Sequence, residues 1–434
     1  MKLYAGAGIG TIRFPKAFFP SEGFSGVHDE PAARILLLDA GEKLALVSLE
    51  LVMLPPELIE QVQKAVESIT QFPANHVWVH TAHVITTPHA PHAPIGPGGT
   101  ALPLTQEQRL NLEGKSQIYR DALLEAVAHA ARSAKLALTP ARIGWGECRC
   151  GAAVNRDIET PFGYWIGENP QGLTNDIWRI LRLEAPTGGT IAAVLNGDWK
   201  PCTIDNSQME QGLRQVCSDA SGIACRLAEA AVGAPCLFFM GAAGDQIPKE
   251  HTLSDRIDAD GNVCTQDLGV EAGLDMVTRL GREIADAVIS VLPEIPCTEI
   301  NGILAVREHA FTWPLKARTE LKPRTKYEYT QEGEGSISLQ TAVLGGIAMV
   351  GLKPEINCIT GIQLRDASPY EKTMIFSMVN GGQKYMPDLE SYSRITWEAQ
   401  NSMLMPGAAE AFVRKASAQL EKIKEECSNA GDME

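Results

Sequence analysis

Basic residues and long apolar runs are scarce in this sequence, and each shortage excludes a class of protein. Lys and Arg number 38 against 53 Asp and Glu, which gives a net charge of −15. Such a chain lacks the basic surface that nucleic-acid phosphates and anionic membranes require. No apolar run reaches the ~20 residues of a membrane span, and the N-terminus shows no signal-peptide pattern. The sequence therefore predicts no nucleic-acid partner and no membrane anchor.

Paired cysteine motifs are also missing. The ten cysteines are scattered, and the only close pair, Cys148 and Cys150, forms a C-x-C rather than a C-x-x-C. This pattern argues against a disulfide scaffold or a zinc ribbon and is typical of reduced thiols, so we expect a cytoplasmic protein. The glycines of residues 241–245 match neither a Walker loop nor a dinucleotide fingerprint. The oligomeric state stays open, with a homo-oligomer as one alternative.

The chain does contain strand-like apolar runs that alternate with helical patterns. This alternation predicts an α/β fold, with a mixed or parallel central sheet, or several such sheets, covered by helices. We expect one domain over residues 1–425 and a disordered tail over 426–434, with no internal repeat. The predicted hairpins cover 33–51 and 177–196, the other strands 77–81, 235–240, 302–311 and 347–352, and the helices 57–69, 105–138, 208–232, 269–291 and 408–425. Residues 316–335 are charged and are expected to form a solvated excursion.

Histidines are concentrated in one short segment. Five of the nine lie between His76 and His92, where an alternating strand runs into a loop rich in proline and glycine. A strand that ends in a loop bearing imidazoles is a common way to present metal ligands or acid–base groups. The alternative is a surface loop whose histidines have no function.

Polar residues also follow three other predicted strands, at the ends where α/β proteins usually build sites. These are Asp198 and Lys200 after one strand, Asp245 in the glycine loop 241–245, and Glu355 after the strand 347–352. Each has an ordinary alternative: a tight structural turn for the loop, a solvated lysine for Lys200, and surface charge for Glu355.

Taken together, these segments resemble the neutral/alkaline non-lysosomal ceramidase family. The similar segments are Gly26-Val27-His28-Asp29, the strand 33–39 (ARILLLD), residues 46–50 (LVSLE), Gly144-Trp145-Gly146-Glu147, Val154-Asn155-Arg156, residues 218–222 (SDASG) and residues 241–248 (GAAGDQIP). Their order and spacing are similar from residue 3 to about residue 415. The resemblance is to the N-terminal catalytic domain of the bacterial branch, which lacks the C-terminal immunoglobulin-like domain.

The resemblance implies a zinc amidase that cleaves N-acyl bonds, with a divergent metal site. In such sites the metal polarises the carbonyl and lowers the pKa of a bound water. Of the family's four zinc ligands, His83 and Glu355 are retained, Lys200 lies where a histidine is expected, and Trp397 where a tyrosine is expected. Ile85 replaces a further motif histidine, and Ile247 a motif serine. Lysine is protonated at neutral pH and tryptophan cannot bind a metal.

Two accounts of the site follow. In the first, one zinc ion is retained by His83, Glu355 and a loop histidine such as His89, in a hydrolase that acts on the amide bond of a small soluble metabolite. In the second, no metal is bound and Lys200 replaces it, which gives changed chemistry or a catalytically silent ligand-binding subunit. The expected catalytic residues are Lys200, Asp245, Asp198 and Asp219, and the expected substrate-binding residues are His28, Asp29, Arg34 and Trp397. A scaffolding protein is a third class, which predicts no deep polar pocket.

Overall fold

The computed structural model of the chain describes residues 2–94, 101–209, 212–300 and 304–431. Strands and helices alternate throughout these ranges. In chain order the strands are β1 (Tyr4–Thr11), β2 (Phe24–Val27), β3 (Ala32–Ala40), β4 (Glu42–Leu49), β5 (Val77–Thr81), β6 (Thr139–Pro140), β7 (Arg142–Arg149), β8 (Ala153–Thr160), β9 (Gly163–Asn169), β10 (Ile177–Glu184), β11 (Thr190–Gly197), β12 (Arg214–Val216), β13 (Cys236–Met240), β14 (Gln246–Pro248), β15 (Leu253–Ile257), β16 (Val263–Asp267), β17 (Ala305–Lys316), β18 (Gln331–Leu344), β19 (Ile347–Leu352), β20 (Glu355–Ile356), β21 (Lys372–Phe376) and β22 (Tyr385–Met386).

The helices are α1 (Pro56–Thr70), α2 (Gln106–Leu136), α3 (Asp219–Val232), α4 (Gly269–Ile289), α5 (Cys358–Ala367), α6 (Leu389–Arg394), α7 (Trp397–Asn401) and α8 (Ala408–Gly431). A capping box begins α2, because the Thr105 side chain accepts from the Gln108 backbone and the Gln108 side chain accepts from Thr105 in return. The predicted hairpins and most predicted helices are present, and the predicted α/β class with mixed sheets is confirmed.

The same order of strands occurs in three separate sheets. β1, β3, β4 and β5 form the first unit, β7, β10, β11 and β13 the second, and β17, β18, β19 and β21 the third. In each unit the first three strands are antiparallel neighbours, and the fourth returns through a helix to pair parallel with the third. Two parallel neighbours must be joined by a crossover connection, and α1, α3 and α5 form this connection in the three units.

One face of each sheet contributes to a core that the three units share. Trp78 of β5, Phe239 of β13 and Phe376 of β21 are fully buried in it. The Phe239 and Phe376 rings lie 4.4 Å apart between centroids, and the Trp78 and Phe376 rings 6.5 Å apart. The other face of each sheet is covered by a pair of helices: α1 with α2, α3 with α4, and α5 with α8. Loops follow the carboxyl-terminal ends of the paired parallel strands.

Three predicted boundaries differ from the structure. The helix predicted over 208–232 begins only at Asp219, because residues 214–216 before it form β12, which pairs with β2. The strand predicted from Gly302 is seen from Ala305, and residues 302–303 lie outside the described ranges. The predicted tail is helical as far as Gly431, and 432–434 lie outside those ranges. Within the described part of the chain, no helix is both long and apolar enough to cross a bilayer.

Candidate functional site

A cavity of about 600 Å³ lies where the loops after β5, β11 and β19 meet. Those loops bring His83, Lys200 and Glu355 into its lining. The remaining walls come from β8 and β9, from the β15–β16 hairpin, and from the segment that leads into α7. The three strand tips that the sequence singled out for His83, Lys200 and Glu355 therefore do converge on one cavity.

Lys200 and Glu355 form a buried ion pair in this cavity. Lys200 Nζ donates to Glu355 Oε2 at 2.8 Å and to the Gly244 carbonyl at 3.2 Å. The two side chains are only 1% and 5% exposed. An ammonium carries three N–H donors, so one of the three remains for a ligand.

Both partners of this pair are charged at neutral pH. Burial and the nearby Arg156 act to lower the pKa of Lys200, but attraction to Glu355 outweighs them and the pKa lies above its ordinary value. Burial acts to raise the pKa of Glu355, but Lys200 and His83 hold it below its ordinary value. The lysine is thus a fixed ammonium rather than a neutral amine, which disfavours its use as a base or Schiff-base nucleophile.

His83 adjoins the other oxygen of the same carboxylate. Its Nδ1 lies 3.4 Å from Glu355 Oε1, slightly beyond a normal hydrogen bond, and has no other partner. The residue has a left-handed backbone, with φ of 58°. Burial, together with Lys200, lowers the pKa of His83 to about 4, although Glu355 opposes that shift. The imidazole is therefore neutral at pH 7.

Arg156 forms the neighbouring wall together with two aromatic rings. Its guanidinium carbon lies 4.8 Å from the Trp397 ring centroid and 5.4 Å from that of Tyr385. Its Nε donates to Glu398 Oε1 at 2.6 Å, and Glu398 is fully buried. Lys200 Nζ lies 5.3 Å from the Tyr385 ring. Trp397 thus lines the cavity and is in contact with the guanidinium of Arg156.

Asp198 belongs to a structural ion pair instead of the cavity lining. Its carboxylate accepts two hydrogen bonds from Arg365, at 2.7 and 2.8 Å, and one from the Ala242 amide at 2.7 Å. Although burial acts to raise the pKa of Asp198, Arg365 holds it below its ordinary value. The carboxylate connects the loop after β11 to the glycine loop and to α5.

Asp245 likewise faces away from the cavity. It accepts from the Cys358 amide at 2.8 Å and from Asn155 Nδ2 at 3.1 Å, so it caps the start of α5. Burial raises the pKa of Asp245 to about 6. Asp245 therefore lies near the site in sequence, but one of its oxygens is engaged by a backbone amide and the other by a side-chain amide.

Asp219 has a comparable role beside the loop that follows Lys200. It accepts from the Thr203 amide at 3.0 Å and from the Ala220 amide at 2.7 Å. Burial raises the pKa of Asp219 to about 6. This carboxylate fixes the Lys200 loop against α3, and it is not among the described residues that line the cavity.

The three expected substrate-binding residues near the N-terminus lie outside the cavity lining. Arg34 is buried against Glu50 and against Glu229 of α3, on the face of β3 that also carries Leu36 and Leu38. Asp29 accepts from the Ser218 amide at 3.0 Å, next to the first turn of α3. His28 is exposed, and its backbone amide bonds to Val216. The structure does not bring these residues to Lys200.

His89 lines the cavity, but its ring is held by Glu22. Nδ1 lies 2.7 Å from Glu22 Oε1, and the backbone amide of His89 donates to the same carboxylate. Ile85 and Ile247, which replace motif residues of the family, both line the cavity. Cys202 does so as well, and burial raises the pKa of its thiol, which disfavours a thiolate nucleophile.

The donor set does not fit a zinc ion. Among the described lining residues, His83 and Glu355 alone offer suitable atoms at the centre, and the ammonium of Lys200 already occupies one carboxylate oxygen. A dication there would also face repulsion from the Lys200 and Arg156 cations. Among the residues that the structure describes, no group of three or more His, Cys, Asp or Glu side chains could hold a metal. His83, His89 and Glu355 are therefore not brought together as a ligand set.

Several lining residues were not singled out as site residues from the sequence. Tyr385 lies in no motif, and it reaches the cavity because β22 pairs with β20 and sets Tyr385 opposite Glu355. Arg156 follows Asn155 in a segment that resembles a family motif, which was a signal that could have found it. The β15–β16 hairpin carries no recognisable motif, although it forms much of one wall.

The fold is that of solved ceramidase structures. A ceramidase complexed with C2 superposes with a TM-score of 0.71 at 14% identity, over 98% of this chain and 76% of that chain. The neutral ceramidase from Pseudomonas aeruginosa gives the same TM-score and identity, over 98% of this chain and 75% of that chain. No family model matches the chain, and no curated protein matches its sequence. The chain thus has a ceramidase-like fold, while the chemistry of its site must be argued from the residues.

Proposed function

We propose that this protein hydrolyses an N-acyl amide bond of a small soluble metabolite, at a metal-free site in which the ammonium of Lys200 replaces the metal ion. The observation that carries the proposal is the 2.8 Å pair between Lys200 Nζ and Glu355 Oε2, next to His83 at the cavity wall. Lys200 and Glu355 occupy positions that the family resemblance assigns to metal ligands. A positive charge is thereby kept where the metal would lie.

His83 is the base that this arrangement supports. Its Nδ1 faces Glu355, which leaves Nε2 as the nitrogen that accepts a proton from an attacking water. Glu355 orients the ring and stabilises the imidazolium that forms. A 3.4 Å separation is long for this contact, but catalytic hydrogen bonds commonly shorten when substrate binds.

Lys200 stabilises the oxygen that becomes negative. Water attacks the carbonyl carbon, its proton passes to His83, and the carbonyl electron pair moves onto oxygen beside the free N–H of Lys200. Collapse of this intermediate breaks the C–N bond, and the imidazolium returns its proton to the departing amine. Burial raises the pKa of Tyr385, so its phenol stays protonated and serves as a second donor.

The cavity suits a small substrate. Its volume of about 600 Å³ lies within the ~300–1,000 Å³ range of ordinary ligand pockets. A scaffolding role would favour a region closed by apolar side chains, whereas this cavity holds a buried ammonium, a guanidinium and a neutral imidazole. Both cations are paired with buried glutamates, and such a polar, open cavity suits a ligand better than a scaffold does.

The experiment combines metal analysis with a hydrolysis screen. Protein purified without added zinc is assayed against amide and lactam libraries, with and without a chelator, and compared with the Lys200→Met and His83→Gln variants. We expect hydrolysis that the chelator leaves unchanged and that both variants lose. Lys353→Met removes a nearby lysine outside the cavity lining and serves as the control. One tightly held zinc per chain, needed for hydrolysis, would overturn the proposal.

Ligand binding without turnover is the second candidate. It is favoured by the engagement of Lys200, whose ammonium already donates to Glu355 and Gly244. An ammonium neutralised in this way stabilises an oxyanion less than a metal does. Thermal shifts with library members, without release of amine in any case, would support this candidate over the hydrolase.

A further inference from the structure

Two cations at the cavity have no partner among the residues that the structure describes. Arg256, on the β15–β16 hairpin, and Lys384, just before β22, both line the cavity and are exposed. Within the described ranges, neither side chain makes a hydrogen bond or an ion pair with another residue. The Lys384 carbonyl accepts from the Glu355 amide at 2.9 Å, which fixes this lysine beside the central ion pair.

The acidic groups of the same lining are, by contrast, already engaged. Glu355 pairs with Lys200, and Glu168 lies 3.4 Å from His251. Asp255 accepts from Trp165 Nε1 at 3.0 Å and from Thr265 at 2.6 Å.

Asp205 accepts from Asn206 at 2.7 Å, and burial raises the pKa of this aspartate. Arg156 and Lys200 are paired with buried glutamates, so among the described lining residues Arg256 and Lys384 are the Lys and Arg side chains without an acidic partner. They remain so in a chain whose net charge is −15.

We propose that Arg256 and Lys384 form a subsite for a carboxylate group of the ligand. This inference rests on the proposed function and names its substrate class: an N-acyl amino acid, whose carboxylate lies near the scissile amide. Arginine binds carboxylates through paired N–H donors, and lysine adds a point charge. Unpaired cations at a cavity attract an anionic ligand even when the protein as a whole is negatively charged. A carboxylate on the ligand therefore explains why these two cations have no acidic partner.

The test uses matched pairs of probes that differ only in this charge. The N-acetyl derivatives of glycine, leucine and phenylalanine are compared with their neutral carboxamides, by isothermal titration calorimetry and by assay of amine release. We expect at least one acid to bind about tenfold more tightly than its carboxamide, as suits a charge-assisted contact. High salt should reduce this preference, because the subsite is partly exposed.

Two double variants then test which residues cause the preference for the acid over the carboxamide. The double variant Arg256→Gln with Lys384→Gln should lose the preference for acid over carboxamide. Arg318→Gln with Lys326→Gln makes the same charge change at exposed cations outside the cavity lining and should keep it. Equal affinity for acid and carboxamide in the wild type, or a preference that survives the first double variant, would overturn the subsite. Inorganic phosphate that binds while none of the acids does would also overturn it.

The same measurements separate this inference from the proposed function. A preference for the acid that depends on Arg256 and Lys384, without release of amine, supports the subsite and counts against the amidase. Release of amine from both members of a pair at equal efficiency supports the amidase and overturns the subsite.

Discussion

At the scale of single residues, the site depends on a lysine and a glutamate that need one another. Each is buried, and removal of either leaves an uncompensated charge. Their stability and their chemistry can therefore be measured separately. A double variant that removes both charges should recover the stability of the fold without restoring the chemistry of the site.

Lys200→Met should lower the free energy of unfolding by about 3–5 kcal/mol, the usual cost of breaking a buried pair from one side. Adding Glu355→Gln to that variant should recover much of the loss, because no charge is then stranded. Urea unfolding of the three proteins measures both effects. Lys353→Met, at a partly exposed lysine outside the cavity lining, should change little. Equal stability of wild type and Lys200→Met would show that the pair is not formed.

If Lys200 replaces the metal as proposed, Lys200→His should create a zinc site. The new imidazole would join His83 and Glu355 and give three protein ligands, which is the number that catalytic zinc sites use. We expect this variant to retain zinc through dialysis and the Lys200→Met variant to retain none. Zinc content by mass spectrometry measures the difference. A failure of Lys200→His to bind zinc would mean that position 200 does not match the family's histidine.

His83 should make stability fall with acid in a defined window. The unfolded chain protonates this histidine near its ordinary pKa of 6.5, whereas the folded protein does so only near 4. Between these values the unfolded state binds the extra proton, so stability is full above pH 6.5 and decreases as the pH falls towards 4. From pH 6.5 to 5 we expect a loss of about 2 kcal/mol at most.

Urea unfolding at both pH values tests this, with His83→Gln as the comparison. The variant should lose less stability than the wild type over the same interval. His80, whose pKa is lowered to about 3 by burial, gives a slope of the same sign in both proteins. An unchanged slope in His83→Gln would place its titration outside this window.

At the scale of the elements, the sequence predicted the strand tips but not the direction of their side chains. Asp198, Asp245 and Glu355 all follow strands, and only Glu355 lines the cavity. The other two accept backbone amides from Ala242 and Cys358, because a strand tip must also satisfy the N–H groups of the next loop. Sequence patterns give the position of a carboxylate but not which donors surround it.

The first strand and the longest helix pack through their backbones. Gly6, Gly8 and Gly10 of β1 share one face of the strand. An added Cβ there would lie within 2.3 Å of α2 carbonyl oxygens, those of Ala134, Ala130 and Ala126 in turn. The glycines recur every two residues along the strand and the alanines every four residues along the helix, so each set lies on one face of its element.

Gly8→Ala should therefore destabilise the protein by about 1–3 kcal/mol through overpacking. Chemical denaturation measures the loss. Gly26→Ala is the matched control, since an added Cβ at Gly26 meets no atom within 4 Å. Equal effects of the two substitutions would contradict the close contact between β1 and α2.

At the scale of the whole molecule, three similar units surround one core and leave their strand tips to build a single site. His83 comes from the first unit, Lys200 from the second and Glu355 from the third. The sequence shows no repeat, because the units share strand order rather than residues. The meeting of the tips that carry His83, Lys200 and Glu355 was expected through the family resemblance, whereas Asp245, expected with them, does not line the cavity. The contribution of Tyr385 was not, since it depends on how β22 pairs with β20 across the loop.

Asn196 joins the second and third units directly behind the site. Its Nδ2 donates to the Phe239 carbonyl at 2.9 Å and to the Ile375 carbonyl at 2.8 Å, and the residue is fully buried. Asn196→Leu would leave both carbonyls without this donor, so we expect a loss of about 2–4 kcal/mol in the free energy of unfolding. We also expect weaker binding of any cavity ligand, because Lys200 follows the same strand.

Calorimetric unfolding and ligand titration of Asn196→Leu measure the two effects together. Asn111→Leu is the control, because it makes the same change at an exposed position of α2 outside the cavity lining. A stable Asn196→Leu variant with full affinity would mean that the third unit is positioned by the shared apolar core alone. A loss of both properties would show that this one amide sets the distance between the tips that carry Lys200 and Glu355.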